Sequence, residues 1–151
     1  MSYDVKQVII LRLKYPDGKG GIRNLRFGKL AAMAAHASNQ VFLNMHDPEI
    51  TIYNFGKNDC PSFLTIPVTE NMQKWMNGSY AKIVLAVDTE QELLDLYEDA
   101  KSKNLPCALI VDSGVTEFNR VPTVTSLAIG PDDVSKIDEV TRYGKVTTRL
   151  A

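Results

Sequence analysis

The sequence predicts an α/β protein: a single domain over residues 1–151, with a four-stranded, mixed but mostly parallel sheet flanked by helices on both faces. Its length of 151 residues suits one domain with one core. Apolar runs of strand length alternate with segments of helical period in the order β-α-α-β-α-β-β-α. The apolar runs are nearly continuous, which is typical of a sheet covered on both faces.

The first strand is predicted over Lys6–Leu13, because its centre is apolar and rich in β-branched residues. Residues 14–23 are predicted to form a flexible loop, since Tyr15-Pro16-Asp17-Gly18 is a turn signal. Its glycines lack the spacing of a phosphate-binding loop, and no helix follows them directly. This segment is therefore interpreted as a loop that carries cations.

A helix is predicted from Gly28 to Asn44. Gly28 ends the preceding loop and lets the backbone approach another group closely. Alanine is the best helix former, and its small side chain lets a helix lie tight against a sheet. Four alanines fill the first turns: Ala31, Ala32, Ala34 and Ala35.

The start of this helix is a candidate anion site. Arg26 and Lys29 flank a position where helix N–H groups have no partner, so a phosphate is the obvious ligand. Lys29, Met33 and His36 are spaced i, i+4, i+7 and are expected to share one helix face. The alternative is an ordinary helix start with a solvated lysine.

The rest of the chain continues the alternation, and the close succession of its last two strands makes one strand antiparallel. Residues 46–67 are predicted to be irregular. The remaining predicted elements are a helix over Thr69–Met76 with Thr69 as N-cap, a strand over Ala81–Val87, a helix over Glu90–Lys103 capped by Asp88 or Thr89, strands over Cys107–Val111 and Val124–Gly130, and a last helix with Pro131 at its first position.

Two polar segments are expected to meet at one edge of the sheet. Ligands of open α/β sheets gather beyond the carboxyl ends of the parallel strands. Asp112 ends the third strand, and the helix start with Lys29 follows the first. We therefore expect these two side chains to converge on one pocket.

The composition and the cysteine spacing argue against several classes of protein. No apolar run approaches the roughly 18 residues of a membrane span, and no signal peptide opens the chain, so a cytoplasmic protein without a membrane partner is expected. Cys60 and Cys107 have no second Cys or His at metal-ligand spacing. No metal and no cofactor is therefore expected.

Charge is unevenly distributed along the chain. The first 30 residues hold seven cations and two acids, a net of +5, whereas the whole chain has a net charge of −1. A local phosphate-binding face needs such segregation, although chance clustering of surface charge also produces it.

Four separated motifs resemble the second, archaeal/eukaryotic-type class of peptidyl-tRNA hydrolase, in a bacterial or phage-like version. The resemblance spans about residues 5–145. The motifs, in chain order, are Lys6-Gln7-Val8-Ile9, Gly28-Lys29-Leu30-Ala31-Ala32 with Ala35-His36-Ala37, the segment from Leu105-Pro106 through Asp112-Ser113-Gly114-Val115-Thr116-Glu117, and Pro122-Thr123 with Leu127-Ala128-Ile129-Gly130-Pro131.

The chain departs from the family pattern at three places. Met33 stands where the family usually has Gln, and Phe27 where it often has Lys. The loop between Arg12 and Asn24 is several residues longer than usual. Met33 cannot hydrogen-bond as Gln does, so either that Gln is dispensable or this protein is slower or altered in substrate.

The resemblance implies hydrolysis of the ester between a peptide and the terminal ribose of a tRNA. Asp112 would orient or partly deprotonate the water, and Lys29 would hold a phosphate or the developing oxyanion. Thr116 would place a hydroxyl at the ester. His36 is either a proton shuttle or a packed structural histidine.

The resemblance also implies a substrate and a partner. The acceptor end of tRNA is the expected ligand, and a homodimer is expected. A competing class is a catalytically weakened homologue that binds RNA or a partner; a small-molecule regulatory domain has no nucleotide fingerprint to support it. The residues expected to bind substrate are Arg26, Gly28, Met33, Gly114 and Thr123.

Overall fold

Strand β1 lies inside a mixed sheet, and each of its eight residues is buried. The computed structural model describes residues 3–45 and 65–141 and the backbone of residues 149–150. The elements, in chain order, are β1 (Val5–Arg12), β2 (Tyr15–Pro16), β3 (Ile22–Arg23), α1 (Phe27–Asn44), α2 (Glu70–Asn77), β4 (Lys82–Val87), α3 (Glu90–Ser102), β5 (Cys107–Asp112), β6 (Thr123–Asp133), α4 (Val134–Thr141) and β7 (Arg149–Leu150).

The strand order is β5-β6-β1-β4-β7. Strand β4 runs parallel to β1, whereas β6 is antiparallel to both β1 and β5. Three of the four long strands therefore run in one direction, which confirms the mixed, mostly parallel sheet with one reversed strand. The two-residue edge strand β7, antiparallel to β4, was not predicted, because two residues carry no periodicity.

Helices cover both faces of the sheet, as predicted. Helices α1 and α2 pack on one face, where Met33, Val41 and Met72 meet Ile9 and Leu11 of β1. Helices α3 and α4 pack on the other face; its core includes the side chains of Val8, Ile10, Leu93, Leu96, Leu127, Ile129 and Ile137. None of the helices in the described ranges has the length and apolar character needed to span a membrane.

The predicted caps of two helices are present. The Thr69 hydroxyl accepts a hydrogen bond from the Met72 N–H at 3.2 Å and begins α2. Thr89, one of the two residues considered for α3, forms a capping box with Glu92. These side chains satisfy N–H groups that a helix start leaves unpaired, so the boundaries follow from the sequence.

The prediction for Pro131 is wrong. Pro131 lies inside β6, where the register with β1 shifts between Lys6 and Val8. Proline is tolerated at such an irregularity because no ladder hydrogen bond is needed there. Helix α4 begins three residues later, and the Asp133 carboxylate accepts hydrogen bonds from the N–H groups of Ser135 and Lys136.

The predicted loop over residues 14–23 contains a short hairpin. Its strands β2 and β3 pair antiparallel, Tyr15 opposite Arg23. Asp17 fixes the turn by accepting hydrogen bonds from the N–H groups of Lys19 and Gly21. The segment predicted to be irregular, 46–67, lies outside the described residues up to position 64.

Candidate active site

Lys29 and Asp112 meet at one edge of the sheet. Lys29 lies in the first turn of α1, and Asp112 is the last residue of β5. The Lys29 Nζ atom lies 2.6 Å from Asp112 Oδ2, and the two side chains are 16% and 10% exposed. The convergence expected from the strand ends is therefore present, between residues 83 positions apart.

A tight turn holds the Asp112 carboxylate. Its Oδ1 atom accepts a hydrogen bond from the Gly114 N–H at 2.8 Å. Partial burial alone would raise the pKa of Asp112, but the hydrogen bonds from Lys29 and Gly114, the Lys29 charge and, more weakly, His36 outweigh it and lower the pKa. Asp112 is therefore an anion at neutral pH.

Gly114 shapes this turn and does not present a side chain to a ligand. Its φ of +79° is a conformation that L residues other than glycine rarely adopt. A Cβ atom on Gly114 would lie 2.3 Å from the Val121 carbonyl oxygen. Gly114 positions Asp112 through its N–H, and its role in binding substrate stays a prediction.

Thr116 completes the contact around the lysine. Lys29 Nζ donates to Thr116 Oγ1 at 3.1 Å as well as to Asp112. An ammonium group has three protons, so one remains for another acceptor. The Thr116 hydroxyl accepts from Lys29 and keeps its own proton to donate. The ring of Phe118 lies 5.9 Å from Nζ.

An open pocket lies beside this contact. Two segments line it: the start of α1, with Arg26, Gly28, Lys29 and Ala32, and the loop after β5, with Thr116 and Glu117. Gly28 is exposed with nothing within 4 Å of where a Cβ would stand, so the backbone of α1 is open to a ligand there. The two predicted cations both border this pocket.

Arg26 is held by a carboxylate that the sequence analysis did not assign. Its Nη2 and Nε atoms donate to Glu117 Oε1 at 2.6 and 3.1 Å, although the Arg26 side chain is 83% exposed. The hydrogen bond from Arg26 is the largest cause of the lowered pKa of Glu117. A carboxylate in the segment after Asp112 was the available signal, but its partner is 91 positions away.

Met33 and His36 do not share an environment with Lys29. Met33 is fully buried in the core under α1, so its side chain is not available to substrate. His36 is exposed, which contradicts the packed structural histidine, and within the described residues it makes no hydrogen bond to Lys29 or Asp112. Two helical turns separate it from Lys29, roughly 10 Å along the axis.

Thr123 lies next to Asp112 across the strand pair. The two residues are directly opposite in the β5–β6 register. The Thr123 hydroxyl donates to the Val121 carbonyl at 2.8 Å, which leaves its lone pairs available to a ligand.

Metal ligands are not grouped near this site. In residues 3–45 and 65–141, no three His, Cys, Asp or Glu side chains form a cluster that could hold an ion. Burial raises the pKa of the Cys107 thiol, which makes it a poor nucleophile. Cys60 lies outside the described residues.

Several known proteins similar to this chain are named peptidyl-tRNA hydrolase. A peptidyl-tRNA hydrolase of Methanococcus vannielii is 32% identical over 143 residues, which cover 93% of this chain and 97% of that protein. One from Methanopyrus kandleri is 35% identical over 136 residues, 90% and 92% of the two chains. One from Methanocaldococcus jannaschii is 30% identical over 142 residues, 94% and 99% of the two chains.

A solved structure supports the fold. A protein of unknown function from Agrobacterium tumefaciens strain C58 superposes with a TM-score of 0.52 at 14% identity, covering 99% of both chains. At that identity only the fold is comparable. Residues 5–146 match the family described as "Peptidyl-tRNA hydrolase PTH2", so the chain belongs to this family.

Proposed function

We propose that Lys29, Asp112 and Thr116 form the site at which this chain hydrolyses the ester bond of peptidyl-tRNA. The products are a free peptide and a reusable tRNA. Family membership supports the reaction, and one observation carries the site: a lysine and an aspartate from separate motifs meet at 2.6 Å beside an open pocket.

Lys29 is assigned to the developing negative charge. Attack of water on the ester carbonyl turns its oxygen into an oxyanion, and a donor already in place stabilises that state more than the neutral ester. Two Lys29 protons are directed to Asp112 and Thr116. The third is available to the oxyanion.

Asp112 is assigned to orienting the water and holding Lys29. A carboxylate of lowered pKa is a weak base, so full removal of a proton from water by Asp112 is unfavourable. It still accepts a hydrogen bond from the water and fixes the direction of attack. As the ester bond breaks, Thr116 passes its hydroxyl proton to the ribose oxygen and takes up the proton that the attacking water loses.

The RNA arm of the substrate is assigned to the pocket at the start of α1. Arg26, Lys29 and the N–H groups around Gly28 present positive charge to a phosphate near the 3′ end. Thr123 is assigned a contact with the ester from the other side of Asp112. We leave Met33 out of this site because it is buried.

For His36 we keep the role of proton shuttle predicted from the sequence. His36 is the weakest of the causes that lower the pKa of Asp112. Direct proton transfer by His36 requires a bridging water. A cytoplasmic location follows from the substrate, which is made on ribosomes. A homodimer and a bacterial or phage origin stay predictions from the sequence.

The decisive experiment separates hydrolysis from binding. Purified protein is mixed with N-acetyl-aminoacyl-tRNA, and release of the N-acetyl amino acid and binding of the tRNA are followed together. Lys29→Ala and Asp112→Asn are expected to lower turnover strongly, whereas Lys74→Ala, an exposed lysine paired with Glu70 on α2, leaves it unchanged. Binding of tRNA without cleavage by the unmodified protein would favour the weakened homologue that Met33 suggests.

A further inference from the structure

A second groove lies near the pocket of Arg26 and Lys29, since the consecutive residues Glu117 and Phe118 line one each. The later part of the loop after β5 forms one wall, and the β2–β3 hairpin forms the other. We call it the hairpin groove. The lining residues used below are Arg12, Tyr15, Arg23, Phe118, Val121 and Thr123.

The floor of the hairpin groove is aromatic, and part of its rim is apolar. The rings of Tyr15 and Phe118 lie 4.9 Å apart and are almost fully buried, whereas Pro16, Val121 and Pro122 are exposed at the rim. The Arg23 guanidinium covers the Phe118 ring at 5.3 Å and donates to the Glu117 carbonyl. The buried Arg12 guanidinium lies 4.5 Å from the centre of the Tyr15 ring, so both arginines of the groove stack on its aromatic floor.

The charges of the hairpin groove cancel. Arg12 and Arg23 are its cations, and Asp17 and Glu90 are its carboxylates. Arg12 pairs with Glu90 at 2.9 Å. A polyanion is attracted by a net positive surface, and this groove offers none.

The groove lies close to the reacting centre. Thr123 lies in its wall and stands directly opposite Asp112 in the strand register, where paired Cα atoms are about 5 Å apart. Phe118, in the same wall, has its ring 5.9 Å from Lys29 Nζ. The end of the groove at Thr123 and Phe118 is therefore about one side-chain length from an ester carbonyl held at Lys29.

We propose that the hairpin groove receives the side chain of the amino acid that is esterified to the tRNA. This inference rests on the proposed function and adds the subsite for the second arm of the ester. The RNA arm is anionic and matches the pocket of Arg26 and Lys29, whose lining holds two cations and one carboxylate, Glu117. The peptide arm is a neutral backbone with a variable side chain, and it matches a groove whose charges balance and whose rim is apolar at Val121. Large apolar side chains are consequently cleaved with the higher kcat/KM.

The test uses two esters on one and the same tRNA, N-acetyl-phenylalanyl and N-acetyl-glycyl. The unmodified protein is expected to favour the phenylalanyl ester about tenfold in kcat/KM, the lower end for filling an apolar site. Val121→Asp and Val121→Arg are compared with it. Val121 is 58% exposed, so both variants should fold, and a thermal melt checks this.

Both variants are expected to bring the phenylalanyl-to-glycyl ratio close to one, because either charge spoils an apolar surface. Inhibition by deacylated tRNA should stay the same in both. Val115→Asp is the matched control: it is an exposed valine of the same loop outside the groove, and it should keep the ratio.

Opposite outcomes overturn the inference. If Val121→Arg tightens and Val121→Asp weakens inhibition by deacylated tRNA while the ratio is unchanged, the groove binds RNA. If the unmodified protein cleaves both esters equally, the groove does not read the side chain, although the proposed hydrolysis stands. If it cleaves neither, the proposed function falls and the subsite falls with it.

Discussion

Removing the two halves of the Lys29–Asp112 contact, singly and together, tests whether they act as a unit. We predict that Lys29→Met and Asp112→Asn each lower kcat by about 10²–10³, the usual cost of losing one oxyanion donor. The double variant is expected to lose little more than either single variant. Each group holds the other at 2.6 Å, so removing one already misplaces its partner.

The same variants are expected to cost little stability. Breaking a fully buried ion pair costs about 3–5 kcal/mol because one charge is left without a partner. This pair lies at the rim of an open pocket, and Asp112 keeps its hydrogen bond from Gly114. We therefore expect Lys29→Met to lower the free energy of unfolding by only about 1–2 kcal/mol.

The assay follows release of N-acetyl amino acid from tRNA at saturating substrate, with urea unfolding of each variant in parallel. Lys74→Met serves as the matched lysine control. Losses that multiply in the double variant would mean that Lys29 and Asp112 act independently. Full activity in either single variant would remove that residue from the reaction.

Three further predictions concern the surroundings of this contact. The fold lowers the pKa of Asp112 from 3.8, so its contribution to stability is present above pH about 4 and is lost as pH falls through the folded pKa. Asp112→Asn should therefore flatten the loss of unfolding free energy at acid pH. An unchanged loss at acid pH would contradict this prediction. Gly114→Ala should lower the free energy of unfolding by about 1–3 kcal/mol, because Gly114 has a positive φ and a Cβ there would meet the Val121 carbonyl. Gly28→Ala, at an open helical position, should not lower it. A Gly114→Ala variant that unfolds in urea like the unmodified protein would contradict the predicted backbone strain. Glu117→Gln should release Arg26 and tighten binding of deacylated tRNA several-fold in a filter-binding assay, and weaker binding would show that Glu117 positions Arg26 for the RNA.

The fold could be predicted because its signals are local. Strand β1 was expected over Lys6–Leu13 and is Val5–Arg12, since a buried, β-branched run has few alternatives. The caps at Thr69 and Thr89 are single-residue signals with a direct physical cause. Pro131 was misassigned because proline fits both the first turn of a helix and an irregular strand position.

The candidate site could be predicted only in part. The meeting of Lys29 and Asp112 follows from where parallel strands end, which is a property of the topology. The pairing of Arg26 with Glu117 depends on a distance between residues 91 positions apart, which no short pattern encodes. The burial of Met33 follows from how α1 is rotated against the sheet, and a helix face assigned from spacing alone does not fix that rotation.

The excess of positive charge in the first 30 residues is largely neutralised in the fold. Five of its seven cations form ion pairs with carboxylates from later in the chain: Lys6, Arg12, Lys14, Arg26 and Lys29. Within the described residues, Lys19 and Arg23 have no such partner. The salt dependence of RNA binding is therefore expected to be shallow.

The magnitude follows from counterion release. Seven cations acting on phosphates of a single strand would give a slope of log K against log salt of about −5, and the two assigned to the RNA arm, Arg26 and Lys29, would give about −1.4. We predict a slope near the smaller value for deacylated tRNA, measured by filter binding at KCl concentrations from about 50 to about 300 mM. A slope near −5 would mean that the ion pairs open when RNA binds, and that the cations of this segment act together after all.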